Sequence, residues 1–311
     1  MKKPRFLSKL LKSNEAETEK KDITLLPIAD THTGSTTALH PYVRKDKTGK
    51  YVSLLELGGW FYSNRPNYMP DALQVRMWEF FEKCLSSVAE FRKNTSLFIL
   101  VDGDAIDGDH HGTHQLITQE VSEQDETHVE LMEYVKYRLG FDRGDQIAYV
   151  LGTNVHVGVE EEKIAKFLDA YQYPGGNYCA SFLTLELNGV LIWAYHKGVS
   201  AGQGHNRGNA CILKMKQIYY QCLQDGNSVP ELIITGHTHD YYHATWTAPN
   251  GINMQYVILP SWQDKTRFVT DNMATNKNKV GMVTITITKE GRAIVNKPML
   301  LNSPHGERIV I

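Results

Sequence analysis

Short apolar runs alternate along the chain with stretches whose apolar residues recur at helical spacing. The apolar runs predict strands over residues 23–29, 97–101, 146–151, 181–187, 190–195, 232–235, 255–259 and 282–288. Helices are predicted over residues 71–92, 160–171 and 209–223, the first with Asp71 as its cap and Gln74 completing a capping box. This alternation is typical of a layered α/β domain.

The domain organisation follows from the polar segments. Residues 1–22 carry many charges and few apolar side chains, so they predict a flexible charged tail ahead of a single domain over 23–311. Residues 34–70 are rich in glycine, proline and aromatic residues, and we interpret them as a lid-like insertion over one end of the sheet.

Composition excludes several classes of protein. With 41% hydrophobic residues among 311, the chain can build a sizeable core and is neither disordered nor collagen-like. Its 33 basic and 35 acidic residues give a formal charge of -2, which excludes the global positive field of a histone-like nucleic-acid binder. Any polyanion would have to be bound locally.

The cysteines bear on the compartment. Cys84, Cys179, Cys211 and Cys222 form no Cys-x-x-Cys pair, and we expect reduced, buried thiols and a cytoplasmic protein. The apolar run of the basic amino end is too short for a signal peptide and far short of the roughly 20 residues that a membrane span needs.

Acidic and histidine residues collect directly after five of the predicted strands. They lie in the segments Asp30-Thr31-His32, Asp102-Gly103-Asp104-Ala105-Ile106-Asp107, Gly152-Thr153-Asn154-Val155-His156, His196, and Gly236-His237-Thr238-His239. Taken singly, each short motif is also an ordinary turn or a core histidine. Because strand ends of an open sheet meet at one crevice, the ordered set predicts a single polar site.

This ordered set resembles the signature of the calcineurin-like metallophosphoesterase superfamily: Asp-x-His, Gly-Asp-x-x-Asp, Gly-Asn-His-Asp/Glu, a separate His, and Gly-His-x-His. The resemblance implies a four-layer α/β fold in which two facing mixed sheets are flanked by helices. The segment from Asp30 to Ser35, His40-Pro41, and Gln74 with Trp78 are also similar to phage or prophage-encoded members, which would place the protein in the cytoplasm of a bacterial host.

The third motif departs from the family pattern, because Thr153 is interposed after Gly152 and Val155 separates Asn154 from His156. In an extended segment, residues two apart face the same side, so Asn154 and His156 would both point into the pocket. Two assignments stay open: Asn154 binds metal and His156 serves as the acid, or His156 is itself a ligand.

The resemblance implies two divalent metal ions that share Asp104. Asp30, His32, Asp104 and His239 would hold one ion, and Asp104, Asn154, His196 and His237 the other. Carboxylate, amide and imidazole ligands without thiolate suit manganese, our first choice, as well as iron, zinc or nickel.

Further residues are assigned by chemistry. We expect His156 to protonate the leaving group and Asp107 to orient a neighbouring histidine. The glycine-rich segment 198–208, which carries His205 and Arg207, would bind a substrate phosphate through backbone N–H groups and the guanidinium, although a flexible surface loop is an equal alternative.

The function expected from the resemblance is hydrolysis of phosphodiester bonds, in a nucleotide or nucleic acid, by a hydroxide held between the two ions. The preference for diesters follows the phage-like segment. The alternatives are a phosphomonoesterase or protein phosphatase, and a non-catalytic scaffold with the same fold. No membrane partner is expected, and the oligomeric state stays open.

Overall fold

The computed structural model of the chain describes residues 20–54, 71–109, 115–266 and 278–301. Its strands are β1 (Ile23–Ile28), β2 (Val43–Lys45), β3 (Tyr51–Ser53), β4 (Ser96–Asp102), β5 (Gln146–Val150), β6 (Cys179–Ala180), β7 (Leu183–Leu187), β8 (Val190–Lys197), β9 (Leu232–Gly236), β10 (Tyr242–Thr247), β11 (Asn253–Ile258), β12 (Gly281–Met282), β13 (Ile285–Ile287), β14 (Ala293–Val295) and β15 (Met299–Leu300). Its helices are α1 (Ala72–Phe91), α2 (Val121–Leu139), α3 (Glu160–Phe167) and α4 (Asn209–Asp225), with a short 3-10 helix at Gly204–Asn206.

Two mixed sheets organise the chain. The first has the strand order β14-β13-β1-β4-β5-β6. In it β1, β4, β5 and β6 are parallel, β13 is antiparallel to β1, and β14 is antiparallel to β13. The second has the order β10-β11-β9-β8-β7, with β8, β9 and β11 parallel and the two edge strands antiparallel. The parallel strands of both sheets therefore end side by side, which is where their following loops meet.

The two sheets face each other across an apolar core. Leu25, Leu100 and Val150 of the first sheet belong to the same buried cluster as Ile192 and Ile234 of the second. Strands β1, β4 and β9 are buried on both faces, which explains why they read as unbroken apolar runs rather than as alternating patterns.

Helices cover the outer face of each sheet. Side chains of α1, α2 and α3 pack with the first sheet in one cluster, and α4 packs with Ile233 and Tyr256 of the second sheet in another. The order of layers is helices, sheet, sheet, helix. The structure thus confirms the predicted four-layer α/β class with two facing mixed sheets.

Two helices differ from the prediction. The sequence pattern missed α2, because its buried face carries the polar Gln124 and His128 beside leucine and valine residues, which weakens the apolar stripe. Helix α3 ends at Phe167 rather than at residue 171, since Asp169 adopts a left-handed conformation (φ 53°) and the N–H of Tyr171 bonds instead to the carbonyl of Ile147 in β5.

The strand predicted over 282–288 also differs, because it divides into β12 and β13, which belong to different sheets. Only part of the predicted insertion over 34–70 is described: residues 43–53 form the hairpin of β2 and β3, while 55–70 lie outside the described residues, as does most of the predicted tail.

All four cysteines are free and buried, as expected. Within the described ranges, no helix has both the length and the apolar character that a membrane span requires.

The core contact between α1 and Trp262 gives a stability prediction. Phe81 is fully buried, and its ring meets that of Trp262 edge-on at 4.8 Å between centroids. We expect Phe81→Ala to lower the free energy of unfolding by about 3–5 kcal/mol, because the lost contacts leave a cavity. Phe91→Ala, on the same helix but 47% exposed, should cost less than about 1 kcal/mol. Urea unfolding measures both, and equal losses would contradict the packing described.

Candidate metal centre

The candidate site lies at the carboxyl ends of five strands. Asp30 and His32 follow β1, and Asp104 follows β4. Thr153 to His156 follow β5, His196 lies near the end of β8, and His237 and His239 follow β9. Three groups of ligand atoms meet there, each within 4.8 Å: Asp30 with His32 and His239; His32 with Asp104 and His156; Asp104 with His196 and His237. The structure thus brings together seven of the strand-end residues that were predicted to converge: Asp30, His32, Asp104, His156, His196, His237 and His239.

The backbone at this site is held in an uncommon conformation. Among the described residues, seven that are not glycine have positive φ, and five of them are Asp30 (52°), His32 (42°), Asp104 (50°), His237 (69°) and His239 (48°). Such conformations cost energy and collect at functional sites. They are stabilised here by pairing of the loops, since Asp30 N–H donates to Gly103 O and His32 N–H to Asp104 O, both at 3.0 Å.

Asp30 uses its two carboxylate oxygens differently. Its Oδ2 accepts the backbone N–H of His237 at 2.9 Å. Its Oδ1 faces the imidazoles instead, 3.2 Å from Nε2 of His239, 3.8 Å from Nε2 of His196 and 3.9 Å from Nε2 of His32. The side chain is completely buried. One oxygen is therefore fixed by the backbone and the other is presented to the site.

Asp104 repeats this arrangement. Its Oδ1 accepts the backbone N–H of Thr153 at 2.6 Å and the hydroxyl of Thr153 at 3.0 Å. Its Oδ2 lies 3.0 Å from Nε2 of His196 and 4.0 Å from Nε2 of His32. Gly152 makes this approach possible, because a Cβ there would overlap the backbone nitrogen of Asp104.

Backbone carbonyls orient the histidines. Nδ1 of His196 lies 2.7 Å from Asp102 O, and Nδ1 of His156 lies 2.8 Å from Asp107 O. Because a carbonyl oxygen only accepts, Nδ1 carries the hydrogen in both rings, and Nε2 is left for the site. Nδ1 of His32 lies 3.0 Å from Oδ1 of Asp107. This contact agrees with the predicted orienting role of Asp107.

The carboxylates and imidazoles of the site shift one another's pKa values toward the charged forms. Burial raises the pKa of Asp30 and Asp104, but nearby imidazoles, His239 and His196 for Asp30 and chiefly His196 for Asp104, outweigh burial and hold both pKa values below the ordinary one. Burial lowers the pKa of His196, yet Asp30 and Asp104 more than compensate and raise it to about 11. Burial, with the charge of His196, lowers the pKa of His237. The carboxylates therefore stay ionised and attract positive charge.

The donor set fits divalent metal ions. Oδ1 of Asp30 and Nε2 of His196 are buried, and each lies close to a group of opposite charge. Neither makes a hydrogen bond of normal geometry within the described residues, although buried polar atoms usually make one. Nε2 of His32 also faces Nε2 of His239 at 3.3 Å. A cation between these atoms would satisfy them. Carboxylate and imidazole donors without thiolate match manganese, iron, zinc or nickel, and the buried His/Asp groups can hold such ions.

The third motif is not extended, contrary to the conformation assumed from the sequence. The N–H groups of His156 and Val157 both bond to Thr153 O, which closes a turn. Asn154 is exposed in this turn, whereas His156 is partly buried with its ring centroid 4.6 Å from that of His32. The sequence pattern failed here because alternation of side chains holds only for a strand. The metal-binding role of Asn154 stays a prediction.

The two residues predicted to bind substrate lie in different surroundings. His205 is exposed in the short 3-10 helix. Both terminal nitrogens of the Arg207 guanidinium contact the buried carboxylate of Asp240, at 2.7 and 2.9 Å, and one of them also donates to Tyr241 O at 3.0 Å. Arg207 therefore ties the 198–208 segment to the residue after His239. Its contact with substrate, like that of His205, stays a prediction.

Sequence reasoning missed two buried residues that support the site. Glu161 accepts the N–H groups of Ala105 at 3.0 Å and Gly152 at 2.6 Å, so its carboxylate joins the second and third motifs. Gln263 donates to Oδ1 of Asp107 at 3.0 Å. Neither residue belongs to a motif, and their roles follow only from the packing of distant segments.

No protein-family model matches this chain, and neither does any curated protein. Among solved structures, a conserved Streptococcus pneumoniae protein described as a predicted phosphoesterase is 10% identical and has a TM-score of 0.30; the match covers 89% of this chain and 99% of that one. A novel archaeal phosphodiesterase is 11% identical, with 88% and 99% covered and a TM-score of 0.34.

An NAD nucleotidase from Haemophilus influenzae is 13% identical, with a TM-score of 0.39 over 89% of this chain and 49% of its own. The argument about function therefore rests on the geometry of the site itself.

A buried histidine beneath the site predicts pH-dependent stability. His128 lies 3.1 Å from the Thr31 hydroxyl and 3.2 Å from the Tyr149 hydroxyl. Burial lowers its pKa from 6.5 to about 4, so the unfolded chain takes up a proton first as the pH falls. We expect this contribution to stability to be complete above pH 6.5 and to diminish as the pH falls toward 4, by roughly 3 kcal/mol in all.

Urea unfolding of the metal-free protein between pH 4 and 7 measures this dependence. His128→Gln should flatten it, while His205→Gln, changed at an exposed position, should keep it. An unaltered slope in His128→Gln would show that another group causes the dependence.

Proposed function

We propose that this protein is a metal-dependent phosphoesterase that uses two divalent cations and acts on phosphodiester bonds of a nucleotide or nucleic acid. The observation that carries the proposal is the arrangement of Asp30 and Asp104. Each presents one oxygen to a cluster of histidine Nε2 atoms while the backbone holds the other. Two ions bring four positive charges against two carboxylates, and the surplus attracts a phosphate group.

Divalent ions at this site would polarise the phosphoryl group and lower the pKa of a bound water. Asp104, reached by both His196 and His32, is placed to serve both ions. Asp107 orients the ring of His32, because its Oδ1 lies 3.0 Å from Nδ1 of His32. Gln263 holds Asp107 in turn by donating to the same oxygen at 3.0 Å.

His156 is the proposed proton donor to the leaving oxygen. Its Nδ1 hydrogen bonds to Asp107 O, so the proton that can be transferred is on Nε2. A ring nitrogen of His156 lies within 4.8 Å of ligand atoms of His32 and Asp104. The ring is partly exposed, which leaves room for a substrate oxygen. An imidazole suits this role because its ordinary pKa lies near neutral pH.

The choice of a diester rests on the resemblance of residues 30–35 to phage proteins, where processing of nucleic acid is a common need. A phosphomonoester substrate leaves the same metal chemistry intact. The two differ in charge, since a diester carries one negative charge and a monoester close to two at neutral pH. Activity on matched substrates therefore separates them.

The first test combines metal analysis with hydrolysis of bis-p-nitrophenyl phosphate and p-nitrophenyl phosphate. We expect two bound divalent ions per chain, loss of activity on chelation, recovery with Mn²⁺, and faster turnover of the diester. Preference for the monoester would overturn the substrate class. A chain that binds no divalent ion would overturn the proposed activity and favour a scaffold.

Two substitutions separate ligand from acid. Asp104→Asn should remove metal-dependent turnover and reduce the metal content, because an amide cannot replace the charge of a shared carboxylate. His156→Ala should lower kcat by about 10²–10⁴-fold, the range for a lost general acid, with much less loss of metal. Metal content by mass spectrometry and kcat under saturating Mn²⁺ are the measurements.

Asp225→Asn is the matched control for Asp104→Asn, since Asp225 is exposed at the end of α4. It should leave both metal content and turnover unchanged. Equal loss of metal in Asp104→Asn and His156→Ala would make His156 a ligand rather than the acid.

A further inference from the structure

The third motif differs from the family pattern at the position that the family gives to an amide ligand. Directly after Gly152, where the family has asparagine, this chain has Thr153. Thr153 contacts Asp104 through both its backbone N–H and its hydroxyl. The asparagine of this chain follows one position later and is exposed, and in the described residues its amide makes no hydrogen bond to Asp104.

The two donors of Thr153 act on the same atom. Both lie closest to Oδ1 of Asp104, at 2.6 and 3.0 Å, and the hydroxyl is 3.3 Å from Oδ2. Oδ2 is turned toward Nε2 of His196 at 3.0 Å. A carboxylate satisfied on one side in this way offers a single oxygen to cations, and its orientation cannot reverse without losing two hydrogen bonds.

A buried carboxylate of α3 supports this contact. The buried carboxylate of Glu161 accepts the N–H groups of Gly152 and Ala105, the residues next to Thr153 and Asp104. Glu161 thus holds the two loops in register. The turn closed by Thr153 O then directs the side chain of Asn154 outward and that of His156 back toward the site.

We propose that Thr153 is the positioning residue that makes Asp104 a one-oxygen bridge between two cations, and that Asn154 lies outside the ligand set. The inference rests on the proposed metal-dependent function and deepens it. The ion near His196 and His237 is then bound by Asp104 and those two imidazoles. Three protein ligands leave open positions for water and for a phosphate oxygen, as is usual in catalytic rather than structural metal sites.

The test measures metal binding, independently of activity. Thr153→Val removes the hydroxyl but keeps the branched side chain and the backbone N–H, Thr153→Ser restores a hydroxyl, and Asn154→Ala removes the amide. Metal-free protein is titrated with Mn²⁺ by calorimetry, ions per chain are counted by mass spectrometry, and thermal melting of the metal-free variants reports folding.

We expect Thr153→Val to weaken binding of at least one ion by about 10–100-fold, the range found for residues that orient metal ligands. Thr153→Ser should recover most of that affinity. Asn154→Ala should bind two ions with an affinity within about threefold of the wild type, because an exposed turn residue outside the ligand set contributes little.

Two ions in the wild type and one in Asn154→Ala would overturn the inference and leave the proposed function standing. Unchanged affinity in Thr153→Val would also overturn it. A wild-type chain that binds no divalent ion would overturn both. If Thr153→Val fails to fold, Asn154→Ala still decides whether Asn154 belongs to the ligand set, since its exposed position tolerates the change.

Discussion

Burial of two ionised carboxylates is the constraint on which the rest of the site depends. Asp30 and Asp104 are removed from water, which costs several kcal/mol for each charge unless other groups compensate. The compensation has the same form at both residues. A backbone N–H from another strand end fixes one oxygen, and imidazoles face the other. Neither carboxylate could be buried in this way unless strands distant in sequence ended at one place.

Hydrogen bonds to the backbone also orient the imidazoles. Backbone carbonyls of Asp102 and Asp107 accept the Nδ1 hydrogens of His196 and His156, which leaves Nε2 of each ring as the second nitrogen, and Nε2 of His196 faces Asp104. Asp102 is the last residue of β4, and Asp107 lies in the loop that follows it. The segment that carries Asp104 therefore also orients the rings of His196 and His156. Sites supported by strands and their first following residues keep their geometry better than sites on long loops.

The chain departs at one place from the motif pattern that its sequence resembles, and the structure gives a physical basis for the change. Insertion of Thr153 closes a turn in which the hydroxyl contacts Asp104, while Asn154 is exposed. Glu161 holds this turn against the second motif. The Arg207–Asp240 ion pair anchors the glycine-rich segment to the residue that follows His239. The hydrogen bonds of Glu161 and the Arg207–Asp240 ion pair both restrict loops that carry site residues.

The sequence by itself determined the layered α/β class and the convergence of the strand-end residues. Unbroken apolar runs identify buried parallel strands, and such strands end at a common edge. It did not determine α2, whose buried polar residues obscure the stripe, nor the turn at Thr153, nor the parts played by Glu161 and Gln263. Those depend on hydrogen bonds between residues far apart in the chain, and local periodicity carries no information about such partners. Tertiary packing alone decided which oxygen of each carboxylate faces the site.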